Sequence, residues 1–350
     1  MRFTHETLAQ RVRFAPGDAA GALADEAARL GASRVMVIAA PAEAGLAGRI
    51  TGGLPVVLVH DEVAMHVPVP IAERARAAAT GAAADAIVCV GGGSTTGLAK
   101  AIALTLGLPI IAVPTTYAGS EATDVWGLTE GARKTTGVAA RVLPRAVVYD
   151  ATLTRSLPVG LSVASGLNAL AHCVDAMWAP RADPVNAALA AEGIRALAAG
   201  LPAIVDEPAG LPGREQALVG AYLSAVAFAS AGSGLHHKIC HVLGGLGLPH
   251  AATHAVVLPY VLALNAPAAP AAAGRIARAF GSPTALDGLQ ALRRRLDAPR
   301  ALRDHGFDDS LIPEAVEAIL PVVPANNPAA VTAAVLDRLL HDAWEGTDPR

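Results

Sequence analysis

Aromatic residues are scarce in this chain, at 3% of 350 positions, so its core cannot rest on a few large anchors. Alanine fills the gap, and a core of short side chains implies helices and strands that approach closely. Cysteine is rarer still. Cys89, Cys173 and Cys240 are an odd set of three without CxxC spacing, which speaks against a disulfide framework, fits a reducing cytoplasm and leaves them as small buried hydrophobes. The formal net charge is only −3 and the basic residues are scattered, so the electrostatic footprint of a nucleic-acid binder is missing. The N-terminus "MRFTHETLAQRVRFAPGD" carries charges throughout and lacks the apolar centre of a signal peptide. No uninterrupted apolar run of about 18 residues is evident, which argues against a membrane span. The composition favours a folded enzyme over a disordered or fibrous chain, and the length allows two domains at about 150 residues each.

The first half alternates between short Val/Ile-rich runs and amphipathic segments. "SRVMVIAA", "LPVVLVH", "DAIVCV", "LPIIAV" and "RAVVYD" read as buried strands, and "AAGALADEAARLG", "IAERARAAATGA" and "TTGLAKAIALTLG" as helices between them. Strand, helix, strand in repetition predicts a Rossmann-like α/β domain with a mainly parallel sheet. After Asp150 the strand signal stops, and Ala/Leu-rich segments at helical period follow, separated by Pro or Gly. The expected division is an α/β dinucleotide-binding domain over residues 1–155 and an all-α domain over 156–350.

"IVCVGGGSTTGLAKAIAL" is a strand, a glycine turn and a helix in that order. Gly91, Gly92, Gly93 and Ser94 offer backbone N–H groups at the positive end of a helix, a junction suited to a pyrophosphate. It is neither GxGxxG nor a P-loop, so a plain tight turn is an equal reading. The next strand ends in "PTTYAGSE", which places Thr115, Thr116, Tyr117 and Ser120 at a carboxyl edge where open α/β sheets bind ligands.

The stretch "GSGLHHKICHVLGGLGLPHAATH" gathers five histidines and a lysine without one acid. A metal site, a pocket for an anionic substrate and a packing accident are all open. Asn168 and His172 are four apart on one predicted helix, as are His237 and His241 on another, so each pair shares a face. His236 is rotated about 100° from His237 and should face elsewhere. His250 follows a proline and can turn back toward the helix. Two such pairs and a Pro-His turn can converge on one point.

"GGGSTTGLAKA", "PTTYAGSEATDVWGLTE", "GLNALAHCVDAMWA" and "GLHHKICHVLGGLGLPHAATHAVVLPY" occur in the order found in the iron-containing alcohol dehydrogenase family. The chain resembles that family from about residue 10 to 265, and most closely its maleylacetate reductase branch. The resemblance implies a homodimer and an active site in the cleft between the two domains. It sets Gly91 to Ser94, Thr115, Thr116 and Ser120 around NADH or NADPH. It also sets Asn168, His172, His237 and His250 at the metal-ligand positions of metal-dependent members, with His241 as an additional active-site imidazole. Asn168 stands in place of the anionic ligand, Gly97 in place of an Asp common in the glycine-rich motif, and "GGLGLPH" is one residue short.

The missing acid makes chemical sense for maleylacetate, the dicarboxylate substrate the resemblance implies. Hydride addition to its alkene pushes charge onto the conjugated ketone oxygen, where hydrogen-bond donors and imidazolium groups stabilise an enolate. A carboxylate in the pocket would repel both substrate acids, by about 4 kcal/mol per pair at 4 Å and an effective dielectric near 20. The expectation is therefore an anion pocket on a former metal site, with His237, His250 and Lys238 holding carboxylates and His241 or Tyr117 supplying the proton. An iron or zinc ion remains an open alternative, since three neutral imidazoles can hold zinc without an acid. The rivals are a metal-dependent alcohol or glycerol dehydrogenase, a lyase of the dehydroquinate synthase type that retains its NAD, and a non-catalytic binding protein.

Overall fold

In the computed structural model, residues 2–131 and 133–349 are described. The chain divides into two compact units: Leu8–Leu157, and Pro158 onward together with the N-terminal segment through Thr7. That segment joins the helical unit in part through His5, whose Nδ1 lies 2.8 Å from Asp183.

The first unit carries β1 (Arg11–Phe14), α1 (Ala19–Arg29), β2 (Val35–Ile38), α2 (Ala44–Thr51), β3 (Val56–His60), α3 (Val69–Gly81), β4 (Ala86–Gly91), α4 (Gly93–Leu106), β5 (Ile110–Pro114), β6 (Val125–Glu130), β7 (Arg133–Val138) and β8 (Ala146–Tyr149). Six strands form a parallel sheet in the order β1-β8-β5-β4-β2-β3. Alternation along the strands sorts the side chains to its two faces. Val35, Val37, Val88 and Val90 pack with α1 and α2 residues such as Leu23 and Ile50. Met36, Ile38, Ile87 and Cys89 pack with Ala72 and Ala75 of α3 and Leu98 and Ile102 of α4. The chain leaves β2 for β3 and returns to β4 on the other side of β2, so strand order reverses there. That is where a doubly wound sheet opens a crevice for a ligand.

Three features depart from expectation. "LPVVLVH" forms the edge strand β3 rather than a buried one, with Val59 60% exposed. The strand β1 has polar alternation, and the buried Glu26 of α1 takes its Arg11 in an ion pair. The antiparallel hairpin β6–β7 was not foreseen; Trp126 lies over Gly137, where a Cβ would come within 2.6 Å of the indole.

The second unit holds α5 (Val159–Ala176), α6 (Pro184–Asp206), α7 (Leu211–Ala231), α8 (Leu235–Gly245), α9 (His250–Asn265), α10 (Pro270–Phe280), α11 (Ala285–Arg295), α12 (Ile312–Ile319) and α13 (Ala333–Glu345). Helices α6 and α7 meet backbone to backbone. A Cβ on Gly200 would come within 2.7 Å of Ala217 N, and one on Gly220 within 3.2 Å of Gly193 O. This is how an aromatic-poor chain packs tightly. Two helices are apolar on average despite polar breaks such as Glu192, Arg195 and His254. Pro184–Asp206 and His250–Ala268 reach mean hydropathies of 1.5 and 1.3, long and apolar enough by composition to cross a bilayer. One face of each packs inside the fold, through Ala190, Ile194 and Leu197 on the first and Ala255, Val256 and Leu258 on the second, with 44% and 61% of the respective windows buried.

Candidate active site

The two polar strand ends of the first unit meet. Gly91 is paired with Pro114 across β4 and β5, and Thr115 N donates to Gly91 O at 3.1 Å. Gly91 has φ 151°, a conformation open to glycine. A Cβ on Gly92 would come within 2.9 Å of Thr116 Cγ2, and one on Gly93 within 3.4 Å of Ala118 Cβ. Gly92 caps α4 without a side-chain hydrogen bond, so the turn leaves the helix's positive end to a ligand. These features fit a pyrophosphate. Ser94, Thr116 and Ser120 are half-buried beside it in sequence, whereas Thr115 is buried. Gly97, set by the family resemblance in place of an Asp, faces Val67: a Cβ there would meet Val67 Cγ2 at 2.9 Å.

Behind this surface lies a network that sequence reasoning missed. Lys100 on α4 is fully buried and donates to Thr123 Oγ1 at 2.9 Å and Val125 O at 2.8 Å. Burial pushes its ammonium down to about 7, against the opposing pull of Glu121 and Asp124. Glu121 is itself buried and accepts from Tyr149 Oη at 2.8 Å. Tyr117 is fully buried, with its hydroxyl 3.4 Å from Thr154 Oγ1.

In the helical unit, α5, α8 and α9 bring imidazoles together. His237 stacks on His172 with centroids 4.8 Å apart and lies 4.8 Å from His254 and 6.2 Å from His241. His250 is 4.3 Å from His254, and Phe228 of α7 packs on both His172 and His237. The expectation that His236 faces elsewhere is overturned. Its rotation turns it toward α9, where its Nε2 donates to His254 O at 3.0 Å and its ring meets the His254 ring edge-on at 4.9 Å. Two helices wrap the cluster, so a turn of 100° changes the partner and not the neighbourhood.

The cluster has two tiers. His172, His236, His237 and His254 are buried, while Lys238, His241 and His250 are half-buried. Burial and neighbouring imidazoles hold His172, His237 and His254 well below the ordinary histidine pKa, and burial lowers His236 against the opposing pull of Asp175, so the inner tier is neutral near pH 7. Nor is the cluster free of acid. Asp175, three residues after His172 on α5, accepts from His237 Nδ1 at 2.7 Å and from the backbone N–H of His237 and Gly234 at 3.2 Å each. Burial raises this carboxyl group, and the backbone donors oppose the rise. Gly234 is required for room, since a Cβ there would lie 2.5 Å from Asp175 Oδ1.

This geometry bears on the implied metal set. His172 Nδ1 and His237 Nε2 are buried without a hydrogen-bond partner, as a metal-ligating imidazole would be. Asn168, also buried, brings an amide where a charge would sit. The residues therefore fit a divalent cation held by neutral nitrogen donors. Sequence reasoning overlooked Asp175, His236 and His254. The i, i+3 step from His172 to Asp175 and the i, i+4 step from His250 to His254 were the signals that could have found two of them.

A parallel sheet with a phosphate-type turn at its switch point, joined in one chain to an imidazole-lined helical site, defines a two-domain oxidoreductase. Residues 9–151 match the iron-containing alcohol dehydrogenase family, and residues 162–344 match the Fe-containing alcohol dehydrogenase family, C-terminal. The chain belongs to the iron-containing alcohol dehydrogenase family, and that membership implies NAD(P)H use. It is 43% identical over 352 residues to the maleylacetate reductase of Sphingobium indicum, covering 100% of this chain and 99% of that one. Among solved structures, an iron-containing alcohol dehydrogenase from Corynebacterium glutamicum is 61% identical with a TM-score of 0.97, covering 100% of this chain and 98% of that one. The maleylacetate reductase from Agrobacterium tumefaciens is 40% identical with a TM-score of 0.93, over 100% of both chains.

Proposed function

We propose that the chain reduces the carbon–carbon double bond of maleylacetate to 3-oxoadipate, using NADH or NADPH, in the degradation of aromatic compounds. The observation that carries this reading is the two-tier imidazole cluster in a chain similar over its full length to maleylacetate reductases. The reduced nicotinamide, when bound, supplies a hydride for the alkene carbon β to the ketone. Gly91 to Ser94 and Thr116 hold the cofactor through backbone N–H and hydroxyl groups.

The protein's own groups handle charge and the proton. Lys238 and His250 in the outer tier bind the substrate carboxylates. His241, half-buried and one helical turn beyond His237, delivers a proton to the carbon α to the ketone as the enolate collapses. One hydride and one proton convert the alkene to the saturated 3-oxo dianion, and the cofactor leaves oxidised. His237 takes a different part from the one its sequence position implied. Its Nδ1–H is committed to Asp175, so in the neutral form its Nε2 accepts rather than donates and cannot hold a carboxylate. Asp175 sits on the Nδ1 side of His237, away from that open nitrogen. The reading keeps a small dicarboxylate as partner, a homodimer and a cytoplasmic setting, and routes no step through a metal.

The test is a spectrophotometric assay of chelator-treated protein with maleylacetate and each cofactor. The expected result is stoichiometric loss of absorbance at 340 nm. Retention of the cofactor through turnover would make the protein a lyase. Activity confined to simple alcohols with added Fe²⁺ or Zn²⁺ would make it a metal-dependent dehydrogenase.

A further inference from the structure

His236, His237 and His254 each offer a ring nitrogen within 4.8 Å of those of the other two, the one such group of metal-ligating side chains found among the described residues. All three are buried, at 0%, 2% and 0% exposure. Each also has a ring nitrogen without a hydrogen-bond partner: Nδ1 of His236, Nε2 of His237 and both nitrogens of His254. A buried polar atom left unpaired costs about 1–3 kcal/mol, so a cluster of them marks a place where something binds.

Two of the three rings are fixed from behind. The Nδ1–H of His237 goes to the Asp175 carboxylate at 2.7 Å, and the Nε2–H of His236 goes to the His254 carbonyl at 3.0 Å. In each case the hydrogen bond selects the tautomer that leaves the other nitrogen as a bare lone pair. A carboxylate or backbone carbonyl behind a histidine is the usual arrangement around a bound metal, where it orients the ring and raises its basicity. Neutral imidazoles without an anionic ligand suit zinc and its borderline neighbours over magnesium or calcium.

We propose that His236, His237 and His254 form a structural zinc-class cation site that ties α8 to α9, with Asp175 as the residue that positions His237. The site shares only His237 with the set Asn168, His172, His237 and His250, and it makes no use of the amide that replaces the acid at position 168. It is independent of the substrate reading, because it is tested without substrate.

The full-length protein, stripped by chelator, is titrated with Zn²⁺ against a chromophoric zinc chelator, and thermal unfolding is followed with and without the metal. The wild type should bind one equivalent and unfold at a higher temperature with zinc, as any ligand of the folded state requires. His236→Gln and His254→Ala should each weaken binding at least about tenfold and abolish the thermal shift, and Asp175→Asn should weaken it by about 10- to 100-fold. His250→Ala and Asn168→Ala should retain the full equivalent. Visible spectra of the Co²⁺-loaded protein provide a second readout, with tetrahedral bands that vanish in His236→Gln. Should His254→Ala fail to fold, His236→Gln, which keeps the side-chain volume, decides the matter. The proposal is overturned if no zinc binds, if no variant alters its affinity, or if loss of His172 or His250 abolishes binding while loss of His236 or His254 does not.

Discussion

The Nδ1 of His237 lies 2.7 Å from Oδ2 of Asp175, and the same oxygen accepts the backbone N–H groups of His237 and Gly234. One carboxylate therefore caps the start of α8 and fixes the ring that α8 carries. Asp175→Asn keeps the shape but replaces the accepting charge with an amide; because the His237 ring it fixes packs edge-on to the proton donor His241 at 6.2 Å, the expected effect is a fall in kcat for maleylacetate reduction of about tenfold with a small change in KM. Asp175→Glu should recover part of it. Steady-state kinetics of both variants checks this, and equal loss in the two would point to a packing role alone.

Gly234 makes the same point through space. A Cβ at 234 would press on the Asp175 carboxylate at 2.5 Å, and the backbone there, at φ −91°, is one any residue adopts. Gly234→Ala should destabilise the protein by about 1–3 kcal/mol, as overpacking does, and lower kcat in step with Asp175→Asn. Denaturant midpoints together with kcat test it; an alanine variant as stable and active as wild type would show that the carboxylate is free to move aside.

On the nucleotide side, Gly92→Ala would place a methyl 2.9 Å from Thr116 Cγ2, in the space between the two strand-end loops. The expected result is a rise in KM for the reduced cofactor on the order of tenfold, about 1.4 kcal/mol, with kcat for saturating cofactor near wild type. A fall in kcat with KM unchanged would count against a binding role for this turn.

Much of this architecture was legible in the sequence, for identifiable reasons. The strands β2, β4, β5 and β8 are continuous apolar runs because both faces of a parallel sheet are covered, and α1 and α3 keep a helical period, α3 being buried at Ala72, Ala75 and Ala79. The strand β1 hid because Arg11 and Arg13 break its apolar run, one pairing with Glu26 and the other with Asp25. The hairpin β6–β7 hid because glycine and threonine dilute its pattern. At the site, His172, His237, His241 and His250 followed from i, i+4 spacing and from family motifs. What spacing along one helix cannot show is which residue of another helix arrives from the side: Asp175 meets His237 across 62 positions, and His254 meets His236 across 18. The stretch from 232 to 254 is free of acid in sequence but not in space.

The outer tier separates binding from chemistry. Lys238→Met removes a half-buried charge proposed to face a substrate carboxylate, and the expected rise in KM for maleylacetate is about two- to fivefold, the scale of a partly exposed ion pair, with kcat preserved. His241→Ala should instead lower kcat by about 10²-fold or more, the scale of a lost general acid. Comparing kcat and KM for the two variants decides between these roles, and a kcat effect for lysine with a KM effect for histidine would reverse the assignment.

Lys100 predicts a pH dependence of stability. Its ammonium falls from an ordinary 10.5 to about 7 in the folded chain, mainly through burial, with Glu121, Asp124 and Cys89 pulling the other way. Between these two values the unfolded chain binds a proton that the folded chain does not, so this group makes stability rise with pH by up to about 1.4 kcal/mol per unit. Below about 7 both states are protonated and the cost of the buried charge is constant; above 10.5 neither is, and the cost is gone. Lys100→Met removes the titration while keeping an unbranched side chain of similar length. Urea denaturation of both proteins at pH 7, 8 and 9 should show wild type gaining on the variant at each step. Parallel curves for the two would mean that Lys100 remains charged in the folded protein, held by Thr123 and Val125 at its hydrogen bonds and by the field of Glu121 and Asp124.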